Sequence, residues 1–419
     1  MINFAPLHQI SFIKHSLFFI FSFLLFSCSN DDSTTISEEL EENSGMQVIP
    51  TNPCENGMAG NYPCKDYDLM SHISLSEFSA TSGNDSWGWT DSSTGKEYVI
   101  LGLDNGTAFI DISNPTEPIY LGKLISQTPP ALHRDIKVYQ NYAFVVSEAE
   151  GHGLQIFDLT KLRNITNTPV TFQAEATYNE FEHAHNIVIN ETSGFAYVVG
   201  SNSFGGGPHI INIQNPLNPI FAGGYDLDGY SHDAQVVTYN GPDTDYTGKE
   251  IYIGSNENKV VIVDVTDKSN PKNISTFIYE NVGYTHQGWL TGNQKYFLVG
   301  DEFDELQTGN NTRTIILDFT DLDNPKLHTN YTGALPAIDH NGYVKDNLFY
   351  LANYTGGLRV IDISDIENKN LNEVGFFDTF PLNNAADFNG VWNVYPFFES
   401  GNIVLSDIDN GLFIVKKKT

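Results

Sequence analysis

From residue 97 onward the chain alternates short apolar runs with Asn, Asp, Gly and Pro, and one run keeps returning. Gly106-Thr107-Ala108-Phe109-Ile110-Asp111-Ile112-Ser113 comes back as Gly153-Leu154-Gln155-Ile156-Phe157-Asp158-Leu159-Thr160, and again from His209, Val260, Thr314, Gly357 and Gly411. With Asp111, Asp158, Asn212, Asp264, Asp318, Asp362 and Lys416 taken as equivalent, the copies lie 47, 54, 52, 54, 44 and 54 residues apart. Such a period is the length of a four-stranded propeller blade with its loops. Inside a copy, runs of β-branched and aromatic residues are separated by turn residues, as strands joined by tight turns require. The recurrent Asp sits where a carboxylate can accept backbone N–H groups as the chain turns, which is a structural duty. The pattern predicts an all-β fold: a seven-bladed β-propeller of four-stranded antiparallel blades over residues 67–419.

The seventh copy ends right after its third strand, which would leave an edge open to aggregation. Asp68 to Phe78 has strand alternation, lies just before the first copy, and is predicted to supply the missing outer strand and close the ring. Directly upstream, residues 51–66 carry Cys54 and Cys64 around a Gly-containing loop. In an exported chain the two are expected to form a disulfide clasp, stabilising by about 2 to 3 kcal/mol if unstrained; free thiols or a redox pair is the alternative.

The N-terminus changes the picture from fold to address. Residues 1–27 carry Lys14, no acidic residue, and an apolar run from Leu17 to Phe26, as a signal peptide does. Leu25-Phe26-Ser27-Cys28 resembles a bacterial lipobox, with Cys28 the lipidated residue, although Phe26 is bulkier than usual there and plain secretion is the alternative. Residues 28–50 are rich in Ser, Thr, Asp and Glu and are expected to be a flexible acidic tether. The acidic run behind Cys28 resembles the surface-export signal of Bacteroidetes lipoproteins, so the expected location is the outer membrane, facing outward. A formal net charge of −31 repels nucleic acid and anionic headgroups, so neither is an expected partner, and the membrane is reached only through the lipid.

The repeats also resemble LVIVD-repeat propellers, and Val260-Val261-Ile262-Val263-Asp264 nearly spells that motif. Cys54 with Cys64, Trp87-Gly88-Trp89, His133-Arg134-Asp135, Glu150-Gly151-His152-Gly153-Leu154 and His183-Ala184-His185-Asn186 together resemble the choice-of-anchor B family. The resemblance runs from about Cys54 to the C-terminus. It implies an exported bacterial propeller at the cell surface and implies no activity.

Candidate chemistry comes from histidines in register. His133, His185, His232, His286 and His340 are spaced 52, 47, 54 and 54 residues apart, tracking the blades, and each precedes or opens a first strand. They are expected to ring one mouth of the central channel, with Trp87 and Phe388 in the equivalent slots of the first and seventh blades. The loops between second and third strands should emerge on the same face, bringing Glu148, Glu150 with His152, Asp301 with Glu302, and others. Imidazoles and carboxylates converging on one point suit a divalent metal or an acid/base site, with His185, His232 and His286 as candidate ligands. A His that merely bonds a neighbouring backbone would repeat in the same register, and a seven-bladed mouth is expected to be too wide for all five to act together. Gly205-Gly206-Gly207 lacks the following helix and Lys of a phosphate loop, and neither a nucleophile elbow nor a zincin helix is present. The leading expectation is a non-enzymatic surface binding module using His133, His185, His232, His286, His340, Glu148, Asp301 and Trp87 to engage a protein or glycan. A metal-dependent hydrolase or lyase at the same mouth is the alternative, and a purely structural role in surface assembly a third.

Overall fold

A computed structural model describes residues 46–418; the expected signal peptide, lipidated Cys28 and most of the tether lie outside the described residues. Seven sheets follow one another along the chain, antiparallel except where Val170–Phe172 pairs parallel with Ile119–Ile125. Blade 1 runs Gly83–Thr90, Glu97–Leu103, Gly106–Asp111, Ile119–Ile125 from inner to outer strand; blade 2 runs Arg134–Tyr139, Tyr142–Ser147, Leu154–Asp158, Ala176–Tyr178. Blades 3 to 6 begin at Asn186–Asn190, Asp233–Thr238, Thr285–Leu290 and Gly342–Lys345, and blade 7 at Val391–Tyr395. Every returning run of the sequence is the third strand of a blade.

Both faces of a blade pack against neighbours, which is why the strands read as continuous apolar runs. The core is accordingly divided into seven layers, one at each blade interface. Trp89, Ile100 and Phe109 of blade 1 meet Ile136, Val145 and Phe157 of blade 2 in one layer, and Ile73, Val404 and Leu412 of blade 7 meet Val99 and Leu101 of blade 1 in another. The hinge residues act as turn formers. Asp111 Oδ1 accepts from the Ser113 N–H at 3.0 Å, and Asp158, Asn212, Asp264, Asp318 and Asp362 do the same two residues on.

The ring closes with the N-terminal strand. Tyr67–Ile73 pairs antiparallel with Gly411–Lys417 as the fourth strand of blade 7. The strand is shorter than the alternation suggested, because Leu75–Phe78 turns into a 3-10 helix that buries Leu75 and Phe78. The expected tether is also shorter at its C-terminal end, since Val48–Ile49 already pairs with Ile73 and His72. Cys54 and Cys64 are joined. Cys64 lies on a strand (Tyr62–Lys65) added to the outer edge of blade 6, while the Cys54 N–H donates to Asp68 Oδ1 on the closing strand at 2.7 Å. The disulfide thus fastens blade 6 to the closing strand of blade 7. Among the described residues no helix is long and apolar enough to cross a membrane.

Leu69 is fully buried on the closing strand, whereas Met58 is largely exposed on the added hairpin. Leu69→Ala is expected to lower stability in urea denaturation by about 2 to 5 kcal/mol, and Met58→Ala by less than about 0.5 kcal/mol.

Candidate functional site

An inner strand carries one edge toward the axis, and the side chains at its start decide what lines the mouth. His133, His185, His232 and His340 precede their strands by one or two residues, and His286 lies within its own. At His286 the pairing slips between Thr285 and Gln287, a bulge that leaves its side chain free to turn inward. The same irregularity, between Val391 and Asn393, turns Trp392 into the mouth.

The result is a closed ring of six aromatic side chains. Going round, ring centroids are 5.5 Å apart from His133 to His185, then 4.0 Å to His232, 4.2 Å to His286 and 4.3 Å to His340. Trp392 completes it, 4.9 Å from His340 and 5.1 Å from His133. The mouth is therefore far narrower than expected, because the inward-pointing rings fill the space that the backbones leave open. Above the ring lies a vestibule of about 390 Å³, walled by Glu302 and Tyr354 and rimmed by Leu132, Phe303 and Phe388.

Two carboxylates enter from the loops after second strands. Glu148 takes the Nδ1–H of His133 at 2.9 Å and of His185 at 2.6 Å. Burial would raise its pKa, but the bonds from the two imidazoles hold the carboxyl well below the usual range. Glu302 stands between His286 and His340, its oxygens 3.8 and 3.7 Å from their Nε2 atoms, and accepts the Tyr354 hydroxyl at 2.8 Å. Burial pushes Glu302 up to about 7 despite that bond. Burial likewise holds His232 and His286 well below the ordinary imidazole value and His340 down at about 3. The His232 Nδ1–H donates to the His286 carbonyl at 3.1 Å, and the His340 Nδ1–H donates to the Trp392 carbonyl. A carbonyl can only accept, so both Nε2 atoms carry free lone pairs.

Four expectations need correction. Trp87 does not face this mouth. Asp85 accepts the Ile136 N–H of blade 2 as Asp135 accepts the Ile187 N–H of blade 3, which places the blade 1 slot at Gly83; a bulge between Gly83 and Ser86 carries Trp87 farther down the channel. It lines a cavity of about 540 Å³ at the opposite mouth with Trp289, Tyr395 and Phe397. Asp301 is fully buried inside its blade, accepting from the Tyr279 hydroxyl and the Gly283 and Tyr284 N–H groups, and Glu302 faces the histidines in its place. Phe388 is at the rim, and Trp392 holds the seventh slot. His185, expected beside His232 and His286 as a metal ligand, bonds Glu148 through Nδ1 and is not among the donors that gather within 4.8 Å, which are His232, His286 and Glu302.

Tyr354 and Trp392 were not visible in the sequence. Tyr354 has φ of +32°, a conformation costly for a bulky residue, held by N–H bonds from Gly357 and Val391 to its carbonyl. His152 is buried away from the mouth, where its Nδ1–H donates to the Gly153 carbonyl and its Nε2 accepts from Arg134 at 3.0 Å.

Four segments of the chain, residues 97–124, 133–159, 247–278 and 343–379, match the LVIVD repeat. They fall on blades 1, 2, 4 and 6, and the repeats in a seven-bladed ring fit an LVIVD-repeat propeller. No curated protein matches the sequence. Among solved structures the chain is similar to a Lactobacillus plantarum protein from a structural genomics programme, at 11% identity and a TM-score of 0.50 over 77% of this chain and 88% of that one. It is also similar to the β-propeller domain of Myceliophteria thermophila Cps50 (Swd1), at 10% identity and a TM-score of 0.51 over 81% and 97%. These likenesses speak to the fold alone.

Burial, with Arg134 beside it, pushes His152 down to about 4. Its folded pKa is below the unfolded value near 6.5, so the stability it contributes is intact above that pH and is lost as pH falls toward about 4. His152→Asn removes Arg134's acceptor and is less stable at pH 7. Its further loss between pH 7 and 4.5 should be smaller than that of the wild type, by on the order of 2 kcal/mol in urea titrations.

Proposed function

We propose that this chain is a surface-tethered binding module of the choice-of-anchor B type, lipidated at Cys28 on the outer membrane, and that it engages a protein or glycan partner at the His- and acid-lined mouth. The observation that carries the reading is the vestibule above the His ring. Its floor offers oriented imidazole lone pairs and carboxylates, and its rim offers apolar contact: Leu132 is 64% and Phe388 40% exposed. A concave site with an apolar wall and a few convergent polar groups is what specific small-ligand recognition uses. A cavity of about 390 Å³ admits a protruding side chain, a chain end or a terminal sugar, and excludes a flat surface. The lipobox resemblance and the acidic segment support the surface address, and the strong negative charge favours a neutral or basic partner.

The rim tests the reading without disturbing the core. Glycan and peptide arrays probed with the wild type should give binders whose affinity falls at least tenfold in Leu132→Ser with Phe388→Ser. Binding unchanged in that variant would move the partner to another surface of the ring.

A further inference from the structure

We infer that the mouth holds a divalent first-row transition metal ion, bound by His232, His286 and Glu302 with His340 alongside, and that the ion presents its open side to the vestibule. This rests on the reading of the mouth as the binding site and names the group through which it binds. His286 is the starting point. It is 2% exposed, its Nδ1 has no hydrogen-bond partner, and the Glu302 carboxylate lies 3.8 Å from its Nε2, beyond hydrogen-bond distance. A buried imidazole without any hydrogen bond is costly, and a cation between Nε2 and Glu302 would give the Nε2 lone pair and the carboxylate a common partner, with the proton left on Nδ1.

The surroundings are those of a metal site rather than of a water. His232 and His340 each spend Nδ1–H on a carbonyl of the next blade, and that outer bond fixes the tautomer and aims Nε2 inward, as second partners of metal-binding His do. Glu302 is held in turn by the Tyr354 hydroxyl, on a backbone kept in the left-handed region. One ligand atom from each of His232, His286 and Glu302 lies within 4.8 Å of the others. Tetrahedral bonds of about 2.0 to 2.1 Å place ligand atoms about 3.4 Å apart, so a contraction of less than about 1.5 Å brings the set together. Imidazole with carboxylate and no thiolate suits zinc, iron(II), manganese or copper(II), while magnesium and calcium prefer oxygen alone. The mouth opens on the side of the vestibule, where a partner's carboxylate or hydroxyl oxygen would complete the coordination.

The test is elemental analysis of the full chain purified without chelator, paired with titration of stripped protein by cobalt(II), read from its visible absorption. About one transition metal ion per chain is expected, with cobalt affinity reduced at least tenfold in Glu302→Gln and in His286→Ala and unchanged in Leu132→Ser with Phe388→Ser. Circular dichroism confirms that each variant is folded, and the conservative Glu302→Gln keeps the test alive if His286→Ala is not. A folded wild type that takes up no cobalt or zinc, or variants that bind as tightly as the wild type, overturns the metal. Array binding that survives chelation but is lost in the rim variant would discard the metal and keep the mouth; loss of array binding on chelation, restored by metal, supports both.

Discussion

The innermost strand of each blade has a bare edge, and seven such edges face one another around the channel. Unpaired backbone groups there would be expensive, and no further strand can be inserted to meet them. Side chains of the preceding blade meet them instead. Asp85 takes the Ile136 N–H, Asp135 takes the Ile187 N–H, Gln235 takes the Leu290 N–H and Gln287 takes the Gly342 N–H, each bond running from one inner strand to the following one. Asn393 adds a fifth such bond by donating to the Ser86 carbonyl, from the last blade to the first. The apolar layers give the ring its stability, and these bonds set the angle and register at which blades meet.

The same constraint accounts for two of the five histidines in register. His232 and His340 repeat because each donates to a backbone carbonyl in the next blade, a duty that any well-placed donor could serve. That is the bland explanation of the register, and it is correct as far as it goes. It does not explain why the donor is imidazole, whose second nitrogen then points at a carboxylate held by a tyrosine. A latch alone needs only one nitrogen. The side chain of His286 latches nothing, so that duty does not account for its place in the register.

The fold was legible because its signals are local. Asp-x-Ser/Thr turns mark the third strand of five blades, with Asn212 in the same place in blade 3, and a terminal copy lacking its fourth strand implies where that strand must come from. The His slots of blades 2 to 6 were legible for the same reason. What could not be read are the bulges. One extra residue between Gly83 and Ser86 sent Trp87 down the channel, and another before Asn393 brought Trp392 into the ring. Alternation carries no mark of a bulge, so a side chain next to one is assigned to the wrong place. Asp301 and Glu302 were separable only by knowing that the strand ends at Asp301, whose carboxyl turns back into the blade.

Trp87 nevertheless has a part in the architecture, through the plug that divides the channel. Below the His ring, Lys137 is bonded to Asp135 at 2.8 Å and lies 3.6 Å from Asp85, all three buried. Burial pushes Asp85 upward and would lower Lys137, yet the carboxylates around the ammonium hold it above its ordinary value, so the charge stays in place as a paired one. The Trp87 ring covers that ammonium at 4.7 Å from the far side. Two mouths therefore end on one sealed core, polar and imidazole-lined above, aromatic below. A channel blocked by a satisfied ion cluster is not a route for a ligand, and breaking it would leave buried charges unpaired at high cost. Each mouth thus has its own lining, imidazole and carboxylate in the one, indole and phenol in the other.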